Sequence, residues 1–212
     1  MVYLSSKILS KIDIEYEIKD RDGKILRKRK FKGNSWVGRI IEFLSSFIGI
    51  WASASGSYAY LTTRTDVKDT SGTYRHMLMG GSSGVVYGGQ APAGDTTAGI
   101  ILGSSNTPVS IDQYDLITRI PHGSGVGQLS YGATTVDLVR ETNTFRLTIT
   151  RTFTNNSGSS VVVKEMGLFL RLSMGSTPYW YSVMLARDIP PTPIEVPNGA
   201  TLTVRYIISH SI

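Results

Sequence analysis

Phe145-Arg-Leu-Thr-Ile-Thr-Arg-Thr-Phe153 sets apolar side chains at nearly every second position, with polar residues between them. Successive side chains of a strand point to opposite faces, so this period predicts a strand with one buried face. The turn cluster Asn155-Asn-Ser-Gly158 follows, and Val161-Val-Val-Lys-Glu-Met-Gly-Leu-Phe-Leu170 is a second extended run. The two runs are expected to form one long hairpin in a mainly β protein.

A chain of 212 residues fits one large β domain or two small ones. Its 22 glycines and 8 prolines suit many turns between short strands. A single β domain over 1–212 is expected. Residues 98–212 form its core, and 8–52 form a hairpin–helix that can serve as an assembly arm. The chain has no cysteine, which excludes disulfides and thiolate–metal sites. The start, Met-Val-Tyr-Leu-Ser-Ser-Lys, does not read as a secretory signal, and no apolar stretch is long enough to span a bilayer. No membrane partner is expected.

Ile12, Ile14, Tyr16 and Ile18 alternate with Asp13, Glu15 and Glu17, and Asp22-Gly23 is a tight-turn signal. With Asp22 and Gly23 as the loop, Glu17 stands opposite Lys28, Glu15 opposite Lys30 and Asp13 opposite Lys32. Such pairs contribute about 0.2–1 kcal/mol each and help to fix register. The same register sets Ile18 by Arg27, Tyr16 by Arg29 and Ile14 by Phe31. Between Lys19 and Lys32 lie eight cations and two carboxylates, a balance of +6 that equals the formal charge of the whole chain. Arg27, Arg29, Lys24 and Arg21 are left as the main free cations, with Arg27 and Arg29 as the basic contact of the strand. Edge protection or a subunit contact is favoured over nucleic acid, for which this strand is nonetheless the candidate surface. Beyond it, Asn34-Ser35 can cap a helix over 35–52. There Trp36, Ile40, Phe43 and Phe47 form one apolar stripe, beside Val37, Ile41, Leu44 and Ile48. So wide an apolar arc is expected to lie in the core or against another subunit.

Residues 53–97 are rich in Gly, Ser and Thr and read mostly as loops, with short strands near 58–62, 74–79 and 85–87. Further strands are expected at 100–103, 127–131, 134–139, 179–186 and 201–209. The sum is an antiparallel β-sandwich, jelly-roll-like, with an N-terminal β-hairpin and one apolar α-helix.

No residues line up as a catalytic, cofactor or metal site, and no enzyme is expected. His76, His122 and His210 have no second ligand at metal spacing. Asp112 and Asp115 read as turn caps, not as an acid–base pair. Asp66, Asp69 and Asp95 lack the dense oxygen register of a calcium loop. Ser82 in Gly80-Gly-Ser-Ser-Gly84 matches the letters of a nucleophile elbow, but a strand pattern follows where a helix is required. Gly123-Ser-Gly-Val-Gly127 lacks the Lys-Ser/Thr of a phosphate loop. Tyr179-Trp-Tyr181 has the composition of a sugar-stacking platform, with Trp180 on one face and the tyrosines on the other; packing accounts for it better.

Three segments recur in a telling order: Val163-Lys-Glu-Met-Gly-Leu-Phe169, Met184-Leu-Ala-Arg-Asp188 and Ile194-Glu-Val-Pro-Asn-Gly-Ala-Thr-Leu-Thr-Val-Arg-Tyr-Ile207. This order resembles the E-x-G-L-F, L-A-R-D, V-x-x-G-x-x-L-x-V-x-Y grammar of β-sandwich modules in structural proteins of tailed viruses. Val67-Lys-Asp-Thr-Ser-Gly72 and Phe153-Thr-Asn-Asn-Ser-Gly158 are similar to segments of the same proteins. The resemblance covers about residues 98–212 best. It implies a capsid, decoration or tail component without an enzymatic site. Such a protein is made in the host cytoplasm and resides in the virion, with copies of itself and other virion proteins as partners. A receptor- or carbohydrate-binding module at a tail tip is the alternative.

Overall fold

The computed structural model describes residues 11–33, 66–76, 88–174 and 179–211. The helix expected over 35–52, with Trp36, Ile40, Phe43 and Phe47, lies outside these residues. So do the short strands expected at 58–62 and 85–87, and Ser82. Among the described residues there are strands and turns but no helix.

The described residues form twelve strands: β1 Lys11–Lys19, β2 Ile25–Gly33, β3 Asp66–Lys68, β4 Tyr74–His76, β5 Gly99–Gly103, β6 Ser130–Glu141, β7 Thr144–Thr154, β8 Val161–Val163, β9 Glu165–Met174, β10 Tyr179–Asp188, β11 Ile194–Val196 and β12 Thr201–Ser211. They form a five-stranded sheet in the order β2-β1-β12-β7-β6 and a three-stranded sheet in the order β10-β9-β5. Two pairs, β11-β8 and β3-β4, complete the set, and every paired strand is antiparallel.

The N-terminal hairpin has the register read from its charges, with Glu17 opposite Lys28, Glu15 opposite Lys30 and Asp13 opposite Lys32. Its turn differs. The chain reverses at Arg21 and Asp22, with the Gly23 amide donating to the Asp20 carbonyl at 3.1 Å. Gly23 takes the left-handed conformation, φ +81°, for which glycine carries no Cβ penalty. The register survives because Leu26 is extra: Ile25 faces Lys19 and Arg27 faces Ile18. This bulge compensates for the shifted turn.

The long hairpin expected from Phe145 to Leu170 does not exist. β7 pairs with β6 and β12, whereas β8 pairs with β11, and β9 with β5 and β10. Asn155–Gly158 is therefore a corner that carries the chain out of the five-stranded sheet. The Asn155 side chain holds it open, donating to the carbonyls of Val196 at 2.7 Å and Ser159 at 2.8 Å. The true hairpin is β6–β7, closed by Thr142-Asn143 between the paired Glu141 and Thr144. The two strands expected at 127–131 and 134–139 are one strand, β6, with a register shift between Tyr131 and Thr134.

One core joins the sheets. Ile14, Tyr206, Leu202 and Phe153 meet Ile100, Met166, Phe169 and Ala186 in a single buried cluster. Two tyrosines of the five-stranded sheet are hydrogen-bonded across it. Tyr131 Oη donates to the Ile120 carbonyl at 2.7 Å and accepts from the Leu102 amide at 3.2 Å. Tyr206 Oη donates to the Met166 carbonyl at 3.3 Å. Burial raises both phenols, Tyr131 to about 12 and Tyr206 well above its ordinary value, so both remain donors at neutral pH.

Candidate functional site

The chemistry-bearing residues that the fold draws together are buried, and they sit at three junctions between sheet and loop. The first centres on Glu165, at the start of β9. Its carboxylate and the side chain of Arg187, near the end of β10, are both fully buried and meet at 2.7 Å. Glu165 Oε1 also accepts the amides of Thr118 at 2.9 Å and Ser105 at 3.3 Å, and Oε2 accepts that of Ile117 at 3.2 Å. Arg187 Nη1 donates to Gln113 Oε1 at 3.0 Å. The pair thus fixes both ends of the 104–118 loop. Gly103 makes room for it: a Cβ there would lie 2.5 Å from Glu165 Oε1 and 2.6 Å from the Thr118 carbonyl.

The second junction is Arg151, on β7. It occupies the inward position between Ile149 and Phe153 and is fully buried. Among the described residues no carboxylate forms an ion pair with it, and the Asp95 carboxylate acts on it only through its charge. Its five donors go to backbone carbonyls: Nε to Gly132 at 2.9 Å, Nη1 to Ala98 and Ile100 at 3.0 Å each, and Nη2 to Pro92 at 3.4 Å and Asp95 at 2.5 Å. The guanidinium lies 4.8 Å from the centre of the Tyr131 ring, a cation–π contact in a desolvated setting. Burial pulls its pKa below the usual arginine value, against the pull of Tyr131 and Asp95.

The third junction is Asn155, fully buried. Besides its two donated bonds, Oδ1 accepts the Ser157 amide at 3.0 Å and the Ser157 hydroxyl at 2.7 Å. Its backbone accepts the Gly199 amide at 2.6 Å and donates to the Ala200 carbonyl at 2.9 Å. Asn198 Oδ1 accepts the Gly158 amide at 3.0 Å. The 155–159 corner and the 197–200 turn are therefore locked together.

The residues weighed as catalytic or metal-binding are dispersed. Asp112 is exposed, whereas Asp115 is engaged by Arg119 at 2.6 Å. Burial pushes the Asp115 carboxyl up, against the pull of Arg119. His122 Nδ1 accepts the Tyr131 amide at 3.0 Å and borders a shallow cavity of about 360 Å³ with Arg119, Thr96 and Gly94. Asp95 accepts from the Thr97 hydroxyl and amide, each at 2.6 Å. Asp66, His76 and His210 lie on β3, β4 and β12. Gly123–Gly127 is a turn before β6, in which Gln128 Oε1 accepts the Gly125 amide at 2.9 Å. Among the described residues no group of three His, Cys, Asp or Glu is placed to hold a metal ion, and no helix is long and apolar enough to cross a membrane.

Asp69 organises the β3–β4 turn. It accepts the Ser71 hydroxyl at 2.5 Å, the Ser71 amide at 2.9 Å, the Thr73 amide at 3.0 Å and Arg75 Nε at 2.9 Å. Burial alone would raise its carboxyl, but these bonds together outweigh burial and hold it below the ordinary value. Its contribution to stability is complete above the unfolded value of about 3.9 and is lost as pH falls through the lower folded value. Melting temperature between pH 5 and pH 2 is expected to fall less steeply in Asp69→Asn than in the parent protein. Parallel curves would contradict this assignment.

Trp180 and Tyr181 are half-buried, and each has an arginine over its ring. Arg171 lies 5.6 Å from the Trp180 ring centre, and Arg75 lies 4.4 Å from that of Tyr181. Arg27 and Arg29 are exposed on β2, at the edge of the five-stranded sheet.

Comparison with known proteins finds no match: no family model fits the chain, and no curated protein or solved structure is similar to it. The sequence places Asn155 in a turn and Glu165 and Arg187 in the segments of the resemblance, but it does not mark these three or Arg151 as buried junctions. One signal for Arg151 was present, a charge at the core parity of an alternating strand.

Proposed function

We propose that this chain is a virion structural protein, a β-sandwich whose copies assemble into a capsid, decoration or tail component. The observation that carries the proposal is spatial. Segments that bear the resemblance, far apart in sequence, meet in the structure as internal scaffold. Glu165 of the first binds Arg187 of the second at 2.7 Å, and Asn155 of the Phe153–Gly158 segment binds Val196 of the third at 2.7 Å. These residues are spent on holding the fold, as suits a protein that works by shape and contact. Assembly is preferred to glycan binding because Arg171 and Arg75 stack on Trp180 and Tyr181.

Leu138 and Phe145 lie on one face of the β6–β7 hairpin and are 53% and 50% exposed. The proposal assigns them to contact with a second copy, since exposed apolar pairs favour association. Negative-stain images of the purified chain are expected to show regular rings, tubes or shells. Leu138→Asp with Phe145→Asp should abolish them while changing stability by only about 0.5 kcal/mol. Parent images holding only small single particles would overturn the proposal.

A further inference from the structure

We infer that β2 is the docking strand for a phosphate polymer, with Arg27 and Arg29 as the residues that grip it. The hairpin has two charged rows with different fates. On one face Lys30 lies 3.2 Å from Asp13 and 3.3 Å from Glu15, and Lys28 lies 3.8 Å from Glu17. That row is largely neutralised at home. On the other face Arg27 stands opposite Ile18 and Arg29 opposite Tyr16. The β1 residues of that face are Ile12, Ile14, Tyr16 and Ile18, with no carboxylate among them. Neither arginine has an ion pair among the described residues.

The strand is also reachable. It forms the edge of the five-stranded sheet, and residues 25–30 are all exposed. Two residues of strand span about 6.4–6.8 Å, a repeat that suits successive phosphates of an extended single strand. The planar guanidinium fork binds a phosphate through two parallel hydrogen bonds, which an ammonium does not do. Beside the arginines, Ile25 and Leu26 are 52% and 49% exposed and offer apolar surface to bases or sugars. Preventing edge-to-edge pairing needs only an inward-pointing charge; a second unpaired arginine beside exposed apolar residues goes beyond that need. The partner class favoured is single-stranded nucleic acid. The inference rests on the virion proposal for its setting only, since one copy suffices for binding.

The test is fluorescence anisotropy with a labelled oligo(dT) and the full chain, over a range of salt concentrations. The parent protein should bind with steep salt dependence. Arg27→Gln with Arg29→Gln should lose about tenfold or more in affinity, and its log–log salt slope should fall by about 1.4, roughly 0.7 per phosphate contact. Lys28→Gln with Lys30→Gln should lose about threefold or less, because those cations are already paired. Light scattering on the same samples reads assembly separately, so oligo(dT) binding without assembly would fail the virion proposal and leave this inference standing. Unchanged binding in the arginine variant would overturn the inference. So would polyglutamate of equal charge competing as well as oligo(dT), which would point to an acidic protein partner.

Discussion

Glu165→Ala is expected to destabilise the protein by about 3–5 kcal/mol, the cost of leaving a buried charge without its partner. Arg187 is fully buried and 2.7 Å from the carboxylate, so it cannot recover water without opening the core. Three amides lose their acceptor in the same step: Ser105, Ile117 and Thr118. A domain of this kind is stable by about 5–15 kcal/mol, so the variant retains little margin. Urea unfolding checks it, read as the shift in midpoint at constant slope. Glu165→Leu with Arg187→Met is expected to recover part of the loss, because replacing both partners removes the unpaired charge. A Glu165→Ala midpoint within error of the parent would show that the pair contributes nothing.

Arg151→Met is expected to cost at least about 3 kcal/mol by the same measurement. The carbonyls of Gly132, Ala98, Ile100, Pro92 and Asp95 all accept from this side chain. Each buried group left without a partner costs about 1–3 kcal/mol, softened where water can enter. Arg151→Lys should lose most of the same stability, because an ammonium has three donors and no fork to divide among five acceptors. Full stability in the lysine variant would mean that charge alone, not the spread of donors, holds residues 92–100 to β7.

Strand existence was far more legible than strand pairing. Alternation in Ile12–Ile18 and Phe145–Phe153 announced β1 and β7, because one buried face leaves a period of two in the residues themselves. The β1–β2 register was legible too, since charge complementarity and a short turn both act over a short span of chain. The Phe145–Leu170 hairpin failed for the opposite reason. Which strand flanks β7 is decided by β12, about 50 residues farther on, and by Asn155 reaching Val196. No local pattern encodes those contacts. The buried polar junctions were half-legible: Arg151 breaks the apolar parity of its strand, but its carbonyl partners belong to loops whose path depends on the finished fold. Glu165 and Arg187 stood in segments quoted for their resemblance, and only the β9–β10 pairing shows that they face each other.

Light scattering on the purified full chain, taken across a range of concentrations, tests the central claim that this protein acts by assembling copies of itself. The expected result is a mass that is a defined multiple of 23.2 kDa and persists on dilution. A mass of one chain at every concentration would contradict it.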